Sequence, residues 1–153
     1  AGLAFAEMPG LPGRGERSWI AVAEGRALLI DESYNANPLS VAATLLQLGR
    51  EEAQRRVAVL GAMKELGSRS DELHAGLAEK VEDARVDLAI LVGDEMSSLA
   101  QRLEGRLALA HVANADAAMR ELRARIRAGD AILVKGSNSV GLSRLVAGLV
   151  GGE

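Results

Sequence analysis

The densest run of chemically able side chains is Asp31-Glu32-Ser33-Tyr34-Asn35-Ala36-Asn37-Pro38, which follows a buried-looking apolar run ending at Ile30. An acid at the end of a strand is placed to accept hydrogen bonds from a ribose hydroxyl, or to sit near a metal. Asn37 by itself reads better as a helix N-cap, because Pro38 follows at the first helical position. A cap needs one such residue and not six, so the run as a whole points to a site. Gly61-Ala62-Met63-Lys64-Glu65-Leu66-Gly67 is a second candidate, with glycines that let backbone approach a ligand and with Ser68 and His74 just beyond. It reads equally as a plain strand-to-helix connection with His74 on the solvent side. Lys135-Gly136-Ser137-Asn138-Ser139 is the third: a lysine, hydroxyls and a helix start together suit a carboxylate or a phosphate. The order is not that of a P-loop, and an ordinary capped turn is the alternative. Pro12-Gly13-Arg14-Gly15 could present a guanidinium rigidly to an anion, a weak signal alone.

The elements that must carry these segments are legible from period and punctuation. Trp19–Ala23 and Arg26–Ile30 read as strands around a turn at Glu24-Gly25. A helix is predicted from Pro38 to about Leu48, a strand at Val57–Leu60, and one helix from Ser68 to Ala84 with Leu73, Leu77, Val81 and Ala84 on one face. Leu88–Val92 is a strand closed by Gly93, and Met96, Leu99, Ala100 and Leu103 form a helical stripe. Leu107–Ala110 is a weaker strand. Asn114 caps a helix whose inner face is Ala115, Ala118, Met119, Leu122 and Ile126. Ala131–Val134 is the last strand, and Leu142, Leu145, Val146 and Leu149 line a closing helix. This alternation predicts one α/β domain in three layers, a mostly parallel sheet with helices on both faces. Ligands of such sheets collect at the carboxyl ends of the strands, which singles out the segments after Ile30, Leu60 and Val134.

Bulk composition narrows the function. The chain has 153 residues, 48% hydrophobic and 25% charged, the profile of one globular domain. One Trp, one Tyr and one Phe leave the core to aliphatic side chains. A net charge of -3 gives no electrostatic case for nucleic acid; Arg120, Arg123, Arg125 and Arg127 read as the solvated side of a helix. Two histidines, His74 and His111, make a multi-histidine metal site improbable. The absence of cysteine fits a cytoplasmic setting. No run approaches the ~20 apolar residues of a membrane span, and Ala1–Met8 lacks the basic flank of a signal peptide. A first residue other than Met suggests an excised piece of a longer protein.

In this order and spacing the four segments resemble the C-terminal domain of Mur ligases. That domain opens with a Gly-Arg element, matched by Gly13-Arg14, and continues with the Asp-Glu-Ser-Tyr-Asn-Ala-Asn-Pro type of run found here at every position from Asp31 to Pro38. Val59–Gly67 resembles the next family segment except that Ala62 stands where an Asp is usual. Ser70 to His74 and the Val134–Ser137 run complete the likeness, with Asn138 where the family often has Arg. The Tyr-Asn-Ala-Asn-Pro element is that of the members adding D-alanyl-D-alanine to UDP-N-acetylmuramoyl-tripeptide. The resemblance implies a Rossmann-like domain of a three-domain enzyme whose central domain holds ATP and Mg2+, and an acyl phosphate that the dipeptide amine converts to an amide. It implies that Arg14 and Asp31 contact the nucleotide and that Tyr34, Asn35 and Asn37 face its cleft. Lys135, Ser137, Asn138 and His74 would lie on the substrate side. The domain alone is then expected to be a monomer without activity. Another Mur- or folylpolyglutamate-type ligase, or a stand-alone nucleotide- or peptide-binding module, are the rival readings.

Overall fold

The computed structural model describes residues 14–137 and 140–151. Six strands form one sheet: β1 (Glu16–Val22), β2 (Gly25–Glu32), β3 (Arg55–Gly61), β4 (Leu88–Val92), β5 (Ala108–Val112) and β6 (Asp130–Lys135). Their order is β1-β2-β6-β3-β4-β5. Only β1 runs antiparallel, joined to β2 by the hairpin expected at Glu24-Gly25, where Glu24 takes φ 67°. The helices are α1 (Pro38–Gly49), α2 (Ser70–Ala75), α3 (Leu77–Asp83), α4 (Ser97–Leu103), α5 (Ala115–Arg125) and α6 (Leu142–Val150).

Helices cover both faces, as the sequence pattern requires. Val41, Leu45 and Leu48 of α1 pack with Leu77 and Val81 of α3 and Leu99 and Leu103 of α4 on one side. Ala115, Ala118 and Leu122 of α5 pack with Leu142, Leu145, Val146 and Leu149 of α6 on the other. The division follows from crossover handedness. The steps β2 to β3, β3 to β4 and β4 to β5 move one way across the sheet, with α1 to α4 on one face. The return from β5 to β6 moves the other way, so a right-handed crossover must put α5 on the opposite face.

Two differences from the sequence reading have physical causes. The helix expected over Ser68–Ala84 is three pieces: a 3-10 turn at Gly67–Arg69, then α2 and α3. The break falls at Gly76, whose N–H closes α2 on the Glu72 carbonyl at 2.9 Å; glycine is costly inside a helix. The expected inner face survives the break, with Leu77, Val81 and Ala84 buried. The second difference is β1, which begins three residues before Trp19, because polar Glu16, Arg17 and Ser18 still pair in register with Asp31, Ile30 and Leu29. Arg120, Arg123, Arg125 and Arg127 are all exposed, and Arg125 pairs with Glu121 at 3.1 Å.

Candidate functional site

The sheet order gathers three of the four sequence segments. β6, the last strand, lies between β2 and β3, so the carboxyl ends of these strands are adjacent: Glu32 is opposite Lys135, and Lys135 is opposite Leu60 on its other side. From β2 the chain leaves toward α1 and from β6 toward α6, on opposite faces, which opens a crevice at the end of β6. Because β1 is antiparallel, its start also lies at this end. The Gly15 N–H donates to the Asp31 carbonyl at 2.7 Å, which delivers Arg14, the fourth segment, to the same place.

Close backbone contact shapes the crevice. A Cβ on Gly136 would lie 3.2 Å from Gly61 Cα and 2.8 Å from Leu142 Cδ1. Glycine is therefore required where the segments leaving β3 and β6 touch. The Ser137 N–H points to the Ala62 carbonyl at 3.4 Å. Ala62 is buried in the core, so this loop contributes backbone, and no side-chain polarity, at that position.

Asp31 is 5% exposed, and its Oδ1 accepts from the Ser33 N–H at 3.0 Å and the Ser33 hydroxyl at 2.6 Å. These bonds fix the carboxylate and the turn after β2. Tyr34 is nearly half exposed, and the exposed Arg14 guanidinium lies 4.0 Å from its ring centroid, a cation–π stack at the crevice mouth. Asn35 accepts from the Ala36 N–H at 2.9 Å. Asn37 caps α1 in a reciprocal box, its Oδ1 accepting from the Ser40 N–H at 2.9 Å while the Ser40 hydroxyl oxygen accepts from the Asn37 N–H at 3.1 Å.

Lys135 is 4% exposed. Among the described residues its side chain closes no hydrogen bond or ion pair, yet no fully buried side-chain polar atom lacks a partner. Its stem is therefore buried while its ammonium opens onto the crevice. Burial pushes the Lys135 pKa down and the Glu32 carboxylate pulls it back up. Burial raises the Glu32 pKa; the Lys135 charge lowers it, and Asp31 raises it again. Buried charge of this kind is costly without a partner, and such groups mark ligand sites.

His74 is wholly buried. Its Nε2 accepts from the Met63 N–H at 2.9 Å, and Nδ1–H donates to the Ser70 carbonyl at 2.8 Å. This network calls for the neutral Nδ1–H tautomer. The ring has no surface to offer a ligand; it ties the loop after β3 to α2. From that loop Lys64 reaches Glu95 at 2.7 Å, and its hydrogen bond holds the Glu95 carboxyl below the usual carboxylate range. Asn138 and Gly13 lie outside the described residues. Within the Asp31–Pro38 run the sequence pattern assigned Glu32 and Ser33 no role of their own. That of Glu32 depends on β6 lying beside β2, which no local pattern encodes, whereas that of Ser33 is the local bond to Asp31.

A cavity of about 790 Å³ opens at the other end of the sheet, lined by Trp19, Arg26, Glu51 and Asp130 among others. Its charges are largely satisfied: Asp130 by Arg55, Glu51 by Arg17, and Arg26 by the Trp19 ring 3.9 Å away. Among the described residues the buried cation whose side chain has no partner, Lys135, lies at the carboxyl end, so the candidate site is placed there.

Fold and crevice together define a Rossmann-like α/β domain with its candidate site at the carboxyl ends of the strands. The chain belongs to the Mur ligase family, matching the family described as "Mur ligase, glutamate ligase domain" over residues 13–138. It is 37% identical over 142 residues to the UDP-N-acetylmuramoyl-tripeptide–D-alanyl-D-alanine ligase of Mycobacterium leprae, with 80% of this chain and 28% of that one covered. To the enzyme of the same name from Escherichia coli it is 34% identical over 148 residues, covering 95% of this chain and 31% of the relative. The Thermotoga maritima MurF ligase, solved in complex with ADP, superposes with a TM-score of 0.74 at 25% identity, covering 98% of this chain and 33% of that one. The chain thus spans about a third or less of these relatives' length. No helix among the described residues is long and apolar enough to cross a membrane.

Proposed function

We propose that this chain is the C-terminal domain of a cytoplasmic, ATP-dependent ligase that joins D-alanyl-D-alanine to UDP-N-acetylmuramoyl-tripeptide in peptidoglycan synthesis. The observation that carries the reading is the Lys135 ammonium, buried along its stem and unpaired at its tip, beside a fixed Asp31 and an Arg14–Tyr34 stack at the ends of β2 and β6. The names of the aligned relatives support the substrate assignment, and the ADP in the Thermotoga structure supports the nucleotide.

In this reading the tripeptide carboxylate is activated by ATP as an acyl phosphate, and the dipeptide amine displaces phosphate to form the amide. The domain supplies positioning and charge rather than covalent chemistry. Arg14 and Tyr34 border the nucleotide, with Asn35 and Asn37 shaping the loop beside it. Asp31, oriented by Ser33, accepts from a ribose hydroxyl. Lys135 meets the dipeptide carboxylate, with Ser137 and Asn138 at the edge of that pocket, and His74 sets the neighbouring loop from behind. Among the described residues no group of three or more His, Cys, Asp or Glu could hold a metal ion, so the reading leaves Mg2+ to the central domain.

Steady-state kinetics of the three-domain enzyme test the assignment. Asp31→Ala removes a charge-assisted hydrogen bond of about 1.5–3 kcal/mol, which raises the KM for ATP roughly ten- to hundred-fold by the usual free-energy relation, with the dipeptide KM little changed. Lys135→Ala weakens the dipeptide instead. Because Asp31 also holds the Ser33 turn, Asp31→Asn belongs beside it: it keeps a turn acceptor and loses the charge. An Asp31→Asn enzyme with wild-type ATP dependence, or a Lys135→Ala enzyme that loses ATP rather than dipeptide, overturns the two roles. Dipeptide-dependent phosphate release by the 153-residue chain alone would contradict its reading as one domain of the ligase.

A further inference from the structure

Glu32 has no role in the reading above, yet it is the charged group placed against Lys135. It ends β2, and its partner in the parallel register is Lys135 at the end of β6. In-register neighbours on parallel strands share a face about 4.8 Å apart. On its other side Glu32 lies over the start of β1, where Gly15 has φ +95° and a Cβ would stand 3.3 Å from Glu32 Oε2. A side chain at position 15 would press on the carboxylate.

The two charges influence each other without closing an ion pair. The other charged groups nearby are Asp31, on the same strand, and Arg14, whose guanidinium is stacked on Tyr34. Distance matters here. A full salt bridge would hold the ammonium charged but would occupy its donors. A carboxylate that acts only through its field supports the charge and leaves the donors for a ligand.

We propose that Glu32 is a positioning residue, which faces Lys135 across the β2–β6 register and supports its ammonium through its field while leaving the donors open to the carboxylate of a ligand. The ligand class rests on the reading of Lys135 as the dipeptide contact; the coupling between the two residues does not. A ligand with both an ammonium and a carboxylate suits such a site better than a polyanion, since Glu32 and Asp31 repel further negative charge.

The test uses side-chain NMR of the 153-residue chain. It has three lysines, so Lys64 and Lys80 serve as internal controls for Lys135. In Glu32→Gln the Lys135 midpoint falls to lower pH while those of Lys64 and Lys80 stay in place. In Lys135→Met the Glu32 carboxyl midpoint rises, because a coupling between the two groups is read from both sides. This second titration decides the matter if Glu32→Gln does not fold. A Lys135 midpoint unmoved in folded Glu32→Gln, or a Glu32 midpoint unmoved in folded Lys135→Met, overturns the proposal. D-alanyl-D-alanine is then added to the wild-type chain. With the coupling intact, a Lys135 signal that ignores the dipeptide counts against the dipeptide reading and leaves the role of Glu32 standing.

Discussion

The two ends of the sheet are built from the same residue types and treat charge in opposite ways. At the amino end, Arg55 grips Asp130 through Nε at 3.0 Å and a terminal nitrogen at 2.8 Å, and Asp130 also accepts the Arg127 N–H at 2.8 Å. The Arg56 N–H donates to Asp87, and its guanidinium donates to the Leu48 and Glu51 carbonyls. At the carboxyl end, Lys135 has no such partner, Glu32 is pushed toward protonation, and Tyr34 and Arg14 are presented to solvent. A charge that the fold satisfies belongs to stability; one that the fold buries and leaves open awaits something from outside. The comparison also shows why cavity size misleads here, since the wide groove at the amino end contains mostly paired charges.

The largest effect should come from the satisfied end. Asp130→Ala strands a partly buried Arg55 and an Arg127 N–H, at a cost of about 3 kcal/mol, read as a melting temperature lower by roughly 10 °C. The response of Lys135 to D-alanyl-D-alanine should not change. A variant that melted normally and altered that response would break the contrast between the ends. Asn37→Ala sharpens it from within the other end. The cap box of α1 is structural although it adjoins Tyr34, so the expected loss is about 1 kcal/mol of stability with the Lys135 titration unmoved. A displaced Lys135 midpoint would mean that the cap also tunes the crevice.

The smallest effect is a pH dependence. Lys64 holds the folded Glu95 pKa below its ordinary value of 4.5. The folded state thus prefers the charged form, and the stabilisation is present above pH 4.5 and disappears as pH falls through the lowered value. Lys64→Met should lower stability slightly near neutrality and leave it unchanged below the lowered Glu95 value, so that the acid limb of the stability–pH curve flattens. Both side chains are about two-fifths exposed, so the change is small. An unchanged acid limb would show that the loops after β3 and β4 are held by His74 and the core alone.

The sequence reveals this molecule best where signals are local. Alternating apolar runs located all six strands, and Asn37-Pro38 and Asn114 marked helix starts that the capping bonds bear out. The break at Gly76 was legible only as a glycine within a helical stripe, a cost that packing can absorb. The site was legible as segments but not as an arrangement. Nothing local says that the last strand lies between β2 and β3, so the facing of Glu32 and Lys135 could not be read. His74 illustrates the limit of residue type: a histidine near a glycine-rich loop suggests ligand chemistry, and its neighbours turn it into a fastener for the Met63 amide.

The position of β6 has a consequence for the order in which the domain forms. A chain that has left the ribosome only as far as β5 contains β2 and β3 but not the strand between them. Its sheet has a gap at the centre, and the backbone groups meant for β6 are unpaired. Insertion of β6 closes contacts between residues about a hundred positions apart in sequence, such as Leu29 with Ile132; pairing of this kind is slow because loop entropy is spent before contacts form. The strand that seals the core also carries Lys135, so the proposed contact and completion of the core arrive in one event. A product truncated before Asp130 would lack Lys135, and its open central strand edges would be prone to aggregation and to proteolytic removal.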